Sequence, residues 1–509
     1  MTRREMLAAF AALPGLAQMP SAAQTRRPKL ADYPFQLGVA SGDPDPHGFA
    51  LWTRLAPKPL EGGGMPAEDV QVDWQVAEDE GFSKVVASGS ETARPALAHS
   101  IHVEVAGLRP DRWYFYRFRT GSEVSPTARA RTTPTIDATP DKLRFAFASC
   151  QHYESGYFTA LRHMADENLD LVAHLGDYIY EGKGQDGRTR KHAGDEIMTL
   201  EDYRQRHAQY KTDLDLQAAH HACPWLVTWD DHEVDNNYSD AISEEAGVSV
   251  DDFLTRRAHA YQAYFEHMPL RFAAKPVGHE MQLYRGVPYG RLADFAVLDT
   301  RQYRTDQPCG DRTSVACDGV FDPKATLLGD TQEQWLMQRL RRSPAIWNVL
   351  AQQIMFGRAD RDTGPDVTWS MDQWSGYDVA RKRLLKFLED ERIRNPVVLT
   401  GDIHSNWVND LKVDFDDDKA PAMATEFVGT SITSGGDGVE MDDNIRGILT
   451  QNPFVRFYNR ERGYVSCTVT PSEWRADYQV VEKVSEKGAP RITRASFLVE
   501  DGKAGAQRT

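Results

Sequence analysis

Positive charge is what this 509-residue chain is short of: 59 Lys and Arg face 75 Asp and Glu, a formal net charge of −16. Displacing counterions from nucleic-acid phosphates takes a basic face, so the balance argues against a general nucleic-acid binder. It leaves a phosphate-ester substrate open, because metal ions supply local positive charge that side chains do not. Long apolar runs are missing too. Beyond the N-terminus no segment reaches the ~20 apolar residues that a membrane-spanning helix needs. There is no internal repeat and no long low-complexity tract. Asp414, Asp416, Asp417 and Asp418 crowd together, but the glycine and spacing of an EF-hand are absent, and they read as a solvated turn. Cysteines number five. Cys309 and Cys317 flank the turn-rich GDRTSVA and are placed to close a small surface loop in an exported protein. Cys223 and Cys467 lie in or beside apolar runs and read as buried small hydrophobes. Cys150 differs by position, at the end of an apolar run.

What is present begins with MTRREMLAAFAALPGLAQMPSAAQ. Arg3 and Arg4, the short apolar run Leu7 to Leu13, and the small residues Ser21, Ala22 and Ala23 form the layout of a removable export signal over residues 1–23. Adjacent arginines fit the twin-arginine route, which carries proteins already folded. A periplasmic or extracellular protein is expected. Residues 29–133 read as an all-β domain: Val70, Val72, Trp74 and Val76 alternate with polar residues, as do Ile101, Val103 and Val105. Leu108, Pro110 and Tyr114 resemble the tyrosine corner of immunoglobulin and fibronectin type III sandwiches. Residues 134–142, with Pro134 and Pro140, read as a linker. From 143 to 500 apolar runs alternate with helical periodicity, as a layered α/β catalytic domain requires. Residues 501–509, small and polar, are expected to be a flexible tail. His220 and His221 read as exposed polar positions near a helix end.

The chemistry lies at the ends of the apolar runs. Leu143 to Ala148 stops at Ser149-Cys150, and Leu169 to Leu175 at Gly176-Asp177, followed by Tyr178 and Tyr180. Trp225 to Trp229 runs into Asp230, Asp231, His232, Glu233 and on to Asn236 and Asn237. Leu292 to Leu298 ends in Asp299, Thr300, Arg301, and Val397 to Thr400 in Gly401, Asp402, Ile403, His404. In open parallel sheets ligands collect outside the carboxyl ends of strands. A single Gly-Asp end reads equally well as a helix or turn cap. Several in one domain match the inventory of a two-cation site, ions about 3.5 to 4 Å apart with one carboxylate between them. Thiolate and imidazole suit a transition metal, while carboxylate and amide oxygens suit a harder ion, so the mixed set points to two unlike metals.

The blocks FQLGVASGDP, LWTRLAP, ASCQ, HLGDYIYE, WDDHEVDNNY, LDTRQYR and LTGDIHSNW, with the export signal, resemble the PhoD-like alkaline phosphatase family of the metallophosphoesterases over most of the chain. The resemblance implies a four-layer αββα sandwich of metallophosphoesterase type behind the N-terminal all-β domain. It implies Fe3+ held by Cys150, Asp177, Tyr180 and Asp402, with Asp177 bridging to Ca2+, or alternatively two calcium ions. Asp231, Asn236 and His404 are candidates for the remaining ligands. Against the wider superfamily the chain departs at Cys150, where an Asp-x-His pair is usual, and at Gly401-Asp402-Ile403-His404, where Gly-His-x-His is usual.

The expected activity is hydrolysis of phosphomonoesters and phosphodiesters for phosphate scavenging, by attack of a water or oxide held between the cations. Arg301 would share the phosphoryl charge, His232 would serve the leaving oxygen, and Asn237 would orient phosphate. A phospholipase D-like diesterase acting on phospholipids is the rival enzyme reading, and a noncatalytic exported binding protein the rival from another class.

Overall fold

The computed structural model describes residues 32–441 and 445–509; the expected export signal lies outside them. The uninterrupted apolar runs become strands buried on both faces, which is what parallel neighbours demand. Leu143–Ala148, Leu171–Leu175 and Trp225–Thr228 pair in parallel. A second sheet repeats the pattern with Ala293–Val297, Trp347–Ala351, Pro396–Thr400 and Ala424–Val428. One face of each sheet meets the other: Phe145, Phe147 and Leu175 pack in one core with Phe295, Val349, Leu399 and Phe427. The alternate residues point outward. Ala146 and Val172 pack with helical residues Leu161, Tyr210, Leu216 and Tyr261, while Leu350 and Val398 pack with Leu336, Leu384 and Leu388. The two sheets therefore lie face to face with helices on both outer sides, and their carboxyl strand ends share one rim.

Antiparallel strands Arg462–Val469, Glu473–Val481 and Arg491–Glu500 extend the first sheet beyond Leu143–Ala148. The tail expected to be flexible instead adds an edge strand, Gln507–Arg508, on Arg491–Glu500. Small residues suffice there because the contacts are backbone ones: Thr509 N–H donates to Ser496 O at 3.0 Å, and Gly505 N–H to Thr425 Oγ1 at 3.0 Å.

At the other end, Val70–Ala77, Val85–Ala93, Trp113–Thr120 and Ala128–Arg131 form the all-β sheet, around Val72, Val76, Tyr116 and Phe118. Tyr114 Oη accepts from Arg109 N at 3.0 Å, the expected corner. The opposing strands Val39–Asp45, Gly48–Arg54 and Ser100–Val105 do more than complete this module. Gly42 pairs in parallel with Trp225, so they continue the ten-stranded sheet that carries Cys150 and Asp177. His220 is not an exposed position: it is buried, stacked on Trp225 at 3.9 Å, with Nε2 2.8 Å from Tyr178 Oη. Cys309 and Cys317 form a disulfide, and Cys150, Cys223 and Cys467 are free and buried. Among the described residues no helix is long and apolar enough to cross a membrane.

Candidate metal centre

The rim is built from strained backbone. Cys150, Asp177, Asn237, Asp402 and His404 all have left-handed φ, between 48° and 61°. L-residues avoid that region, at a cost of order 1–3 kcal/mol each, and keep it only where their surroundings dictate it. The surroundings do. Cys150 N–H donates to Gly176 O at 3.1 Å and Gln151 N–H to Asp177 O at 3.0 Å, which ties the first two strand ends together. Glu233 then ties the second to the third: its carboxylate accepts from the backbone N–H of Asp177 (3.1 Å), Tyr178 (2.5 Å) and Asp230 (2.9 Å). The glycines before the aspartates let strand ends approach. A Cβ on Gly176, at φ 102°, would sit 2.5 Å from Asp230 Cβ; one on Gly401 would sit 2.5 Å from Ser149 Oγ. A parallel bridge between Ser149 and Ser431 then joins one sheet to the other at the rim.

Two groups of donors result, each with ligand atoms within 4.8 Å of one another: Cys150, Asp177 and His404, and Asp177, Asp231 and His232. Asp177 belongs to both. The Tyr180 hydroxyl donates to Asp177 Oδ2 at 2.7 Å and lies 3.3 Å from His404 Nε2. His232 packs its ring on Tyr180 at 4.1 Å and sets Nδ1 2.7 Å from Glu181 Oε2. Among the described residues, three buried carboxylate oxygens here have no hydrogen-bond partner: Asp177 Oδ1, Asp230 Oδ2 and Asp231 Oδ1. Buried anions without partners are costly, so thiol, carboxylates, phenol and imidazoles with unmet acceptors fit divalent or trivalent cations.

The electrostatics agree. Burial, then Asp177 and Asp402, push the Cys150 thiol well above its ordinary value. Burial pushes up Asp177, with Asp231, Glu233 and Asp402 adding to it against His232. Burial and then Asp372 and Asp231 raise Asp402 to about 6, and burial with Asp177 and Cys150 raises the Tyr180 phenol well above its usual value. Asp231 goes the other way. Burial opposes its charge, but Arg301 and His232 outweigh it and hold the carboxyl low. Burial also opposes charge on His232, yet Glu181, Asp231 and Asp177 hold that imidazole well above its usual value. Burial and then Arg462 and His232 keep His404 neutral, at about 3.

Not every expected residue arrives. The Asn236 carboxamide turns to the surface, where it donates to Glu244 Oε1 at 2.6 Å. Asn237 takes the inward position, its N–H donating to Asp231 Oδ2 at 2.7 Å. Asp402 stands on the rim outside both groups, its Oδ2 accepting from Gln373 Nε2 at 2.5 Å. Arg301 corrects its expected role. It is fully buried, donating through Nε to Asp230 (2.6 Å) and through both terminal nitrogens to Asp372 (2.7 and 2.9 Å), with Asp231 at 3.7 Å. Its fork is engaged by the protein's own aspartates, so it braces the site and does not face a substrate. Sequence reasoning named Asp230 and Glu233 at a strand end but gave them and Glu181 no role, because their partners lie on other strands. Asp372, Gln373 and Ser434 follow no recognisable strand end; Ser434 Oγ lies 2.7 Å from both Tyr180 Oη and Cys150 O.

A face-to-face α/β architecture with buried acids, thiol and imidazoles on one rim defines a candidate metal-binding protein of the layered α/β class. The chain belongs to the PhoD-like phosphatase family: residues 145–478 match that family and residues 20–134 its N-terminal domain. It is 53% identical over 486 residues to alkaline phosphatase D of Bacillus subtilis (strain 168), covering 94% of this chain and 83% of that one. A solved structure described as the structure of PhoD superposes with a TM-score of 0.93 at 52% identity, covering 95% of this chain and 93% of that chain. The chain is accordingly a phosphoric ester hydrolase.

Proposed function

We propose that the protein is an exported, metal-dependent phosphatase of metallophosphoesterase architecture that hydrolyses phosphomonoesters and phosphodiesters outside the cytoplasm, delivered there by the twin-arginine pathway. The observation that carries the reading is Asp177, shared by two donor groups and presenting a buried oxygen with no partner among the described residues. Cys150, Asp177 and Tyr180, with His404 and Asp402 beside them, suit Fe3+; Asp177 and Asp231 suit Ca2+. Cations bound there would supply an activated water and neutralise the phosphoryl oxygens.

The chain's own residues supply the rest. Glu181, on Nδ1 of His232, fixes the ring so that Nε2 is the nitrogen left to give a proton to the departing oxygen, and the Tyr180 ring holds it from one side. Arg301 fixes Asp231 and Asp230, and Asn237 sits against Asp231 at the mouth. The test pairs elemental analysis of purified protein with His232→Ala. The expected result is iron and calcium in the preparation, and turnover that collapses on alkyl phosphates while an activated aryl phosphate is largely spared. Equal losses on both leaving groups would sink the proton-donor role, and protein active without bound metal would sink the reading.

A further inference from the structure

The disulfide-closed loop stands directly over Asn237. The Asn237 backbone bends through φ 48°, a conformation that asparagine tolerates but that needs holding. Its N–H is taken by Asp231 Oδ2 at 2.7 Å, on the metal side. Among the described residues, its other hydrogen bonds come from one stretch, residues 306–311. Gln307 Nε2 donates to Asn237 O at 2.6 Å and to Asp372 Oδ1 at 2.9 Å, which links the turn to the acid that braces Arg301. Asp311 Oδ2 accepts from Asn237 Nδ2 at 2.7 Å, which fixes the plane of the carboxamide and turns its oxygen away from the loop. Two residues beyond Asn237, Ser239 Oγ donates to Asp306 Oδ1 at 3.2 Å.

That stretch has little regular structure of its own. Cys309 and Asp311 both sit in the left-handed region, at φ 56° and 52°, and neither is glycine. The covalent closure Cys309–Cys317 holds them there, reinforced by Cys317 N–H on Cys309 Sγ at 3.1 Å and by a two-strand ribbon, Thr313–Val315 on Thr368–Ser370. The ribbon in turn leads through Met371 into Asp372 and Gln373, whose side chains hold Arg301 and Asp402. One crosslinked loop thus reaches the site from two directions.

We propose that Asp311 is a positioning residue, carried by the Cys309–Cys317 loop, that holds the Asn237 carboxamide in the orientation turnover requires. It acts through Asn237 and does not touch the reacting atoms. The inference rests on the proposed function only in taking Asn237 as part of the working site. An unconstrained loop would let the carboxamide rotate, since a single hydrogen bond to a surface segment competes poorly with water.

The experiment uses the metal-loaded enzyme and 4-nitrophenyl phosphate, with five variants: Asp311→Ala, Asp311→Asn, Asn237→Ala, the double Asp311→Ala/Asn237→Ala, and the double Cys309→Ser/Cys317→Ser. Asp311→Ala is expected to lower kcat/KM about tenfold, mostly in kcat, with thermal stability and metal content near those of the parent. Asp311→Asn, which keeps an acceptor for Nδ2, is expected to restore activity to within about twofold of the parent. In the double variant the Asp311→Ala loss should disappear, because there is no carboxamide left to hold. Replacing Cys309 and Cys317 together by serine should reproduce the Asp311→Ala loss in part. Full activity in Asp311→Ala, or losses that simply add in the double variant, would overturn the proposal. If Asn237→Ala itself is fully active, the fault lies with the role given to Asn237 and the positioning claim falls with it; if Asn237→Ala is impaired and Asp311→Ala is not, the positioning claim alone falls.

Discussion

Acidification should unfold this protein through its interior histidines well before its surface carboxylates are protonated. His102, His174, His207, His220 and His267 are buried, and the charges that act on them include Lys211, Arg54 and Arg206, all of which oppose a proton on the ring. Both ring nitrogens of His174 and of His207 lack a hydrogen-bond partner among the described residues. Burial holds His102 at about 4 and His174 at about 3, holds the nearly buried His221 at about 4, and drives His207, His220 and His267 well below the ordinary value. His102, His174 and His221 stay neutral in the folded protein down to about pH 5, whereas in the unfolded chain each takes a proton near pH 6.5. The unfolded state therefore binds more protons below that point. Stability is fully present above pH 6.5 and falls as the pH drops toward the folded values. At pH 5, about 1.5 units below 6.5, each group contributes about 2 kcal/mol of destabilisation. These three groups together amount to about 6 kcal/mol, a large share of a folding free energy, and His207, His220 and His267 act in the same direction. Lys211 acts in the same sense at higher pH: burial lowers it to about 7, so stability rises further between about pH 7 and the unfolded lysine value near 10.5. The assay is urea unfolding followed by tryptophan fluorescence between pH 6.5 and 5, comparing the parent with His174→Gln at equal metal loading. Site carboxylates raised by burial release the opposite proton count, but they are common to both proteins and cancel in the difference. The parent's stability should fall more steeply by about one proton, about 1.4 kcal/mol per pH unit. Parallel curves would refute the reasoning.

Two further outcomes follow from how the site is braced. Arg301→Gln leaves Asp230 buried without its cation and Asp372 with Arg304 alone, and should cost about 3–5 kcal/mol in denaturant unfolding; Arg301→Lys should rescue little, because an ammonium cannot span both carboxylates as the planar fork does. Gly176→Ala forces a Cβ to within 2.5 Å of Asp230 Cβ at φ 102°; it should lower the melting temperature and the bound metal together, and an unchanged melting temperature would show that the rim can yield where the geometry says it cannot.

Much of the site was legible because parallel strands write their positions plainly. Each buried run is apolar along its whole length, so its end is visible where polarity begins, and Cys150, Asp177, Asp231 and Asp402 all stand at such ends. The disulfide and the tyrosine corner were legible for a like reason, since short spacing and local turns need no long-range knowledge. Arg301 was read as facing substrate because a strand-end arginine looks free until its partners are known. Asp230, Asp231 and Asp372 lie 71, 70 and 71 residues from it and surround it only after the sheets are stacked. Asn236 was expected as a ligand and is turned instead to Glu244, because the turn that sends it there depends on the left-handed backbone of Asn237, which no side-chain pattern announces.

The sequence by itself determined which residue types end the strands, hence the donor chemistry and the family. Only the tertiary structure decided that Asp177 serves two donor groups, that Glu181 holds His232, and that the all-β module shares a sheet with the rim. Side-chain chemistry and local periodicity are properties of neighbours along the chain. Which carboxylate oxygen is left unmet depends on what sheets, loops and caps bring beside it from far away, and that is fixed only when the chain closes on itself.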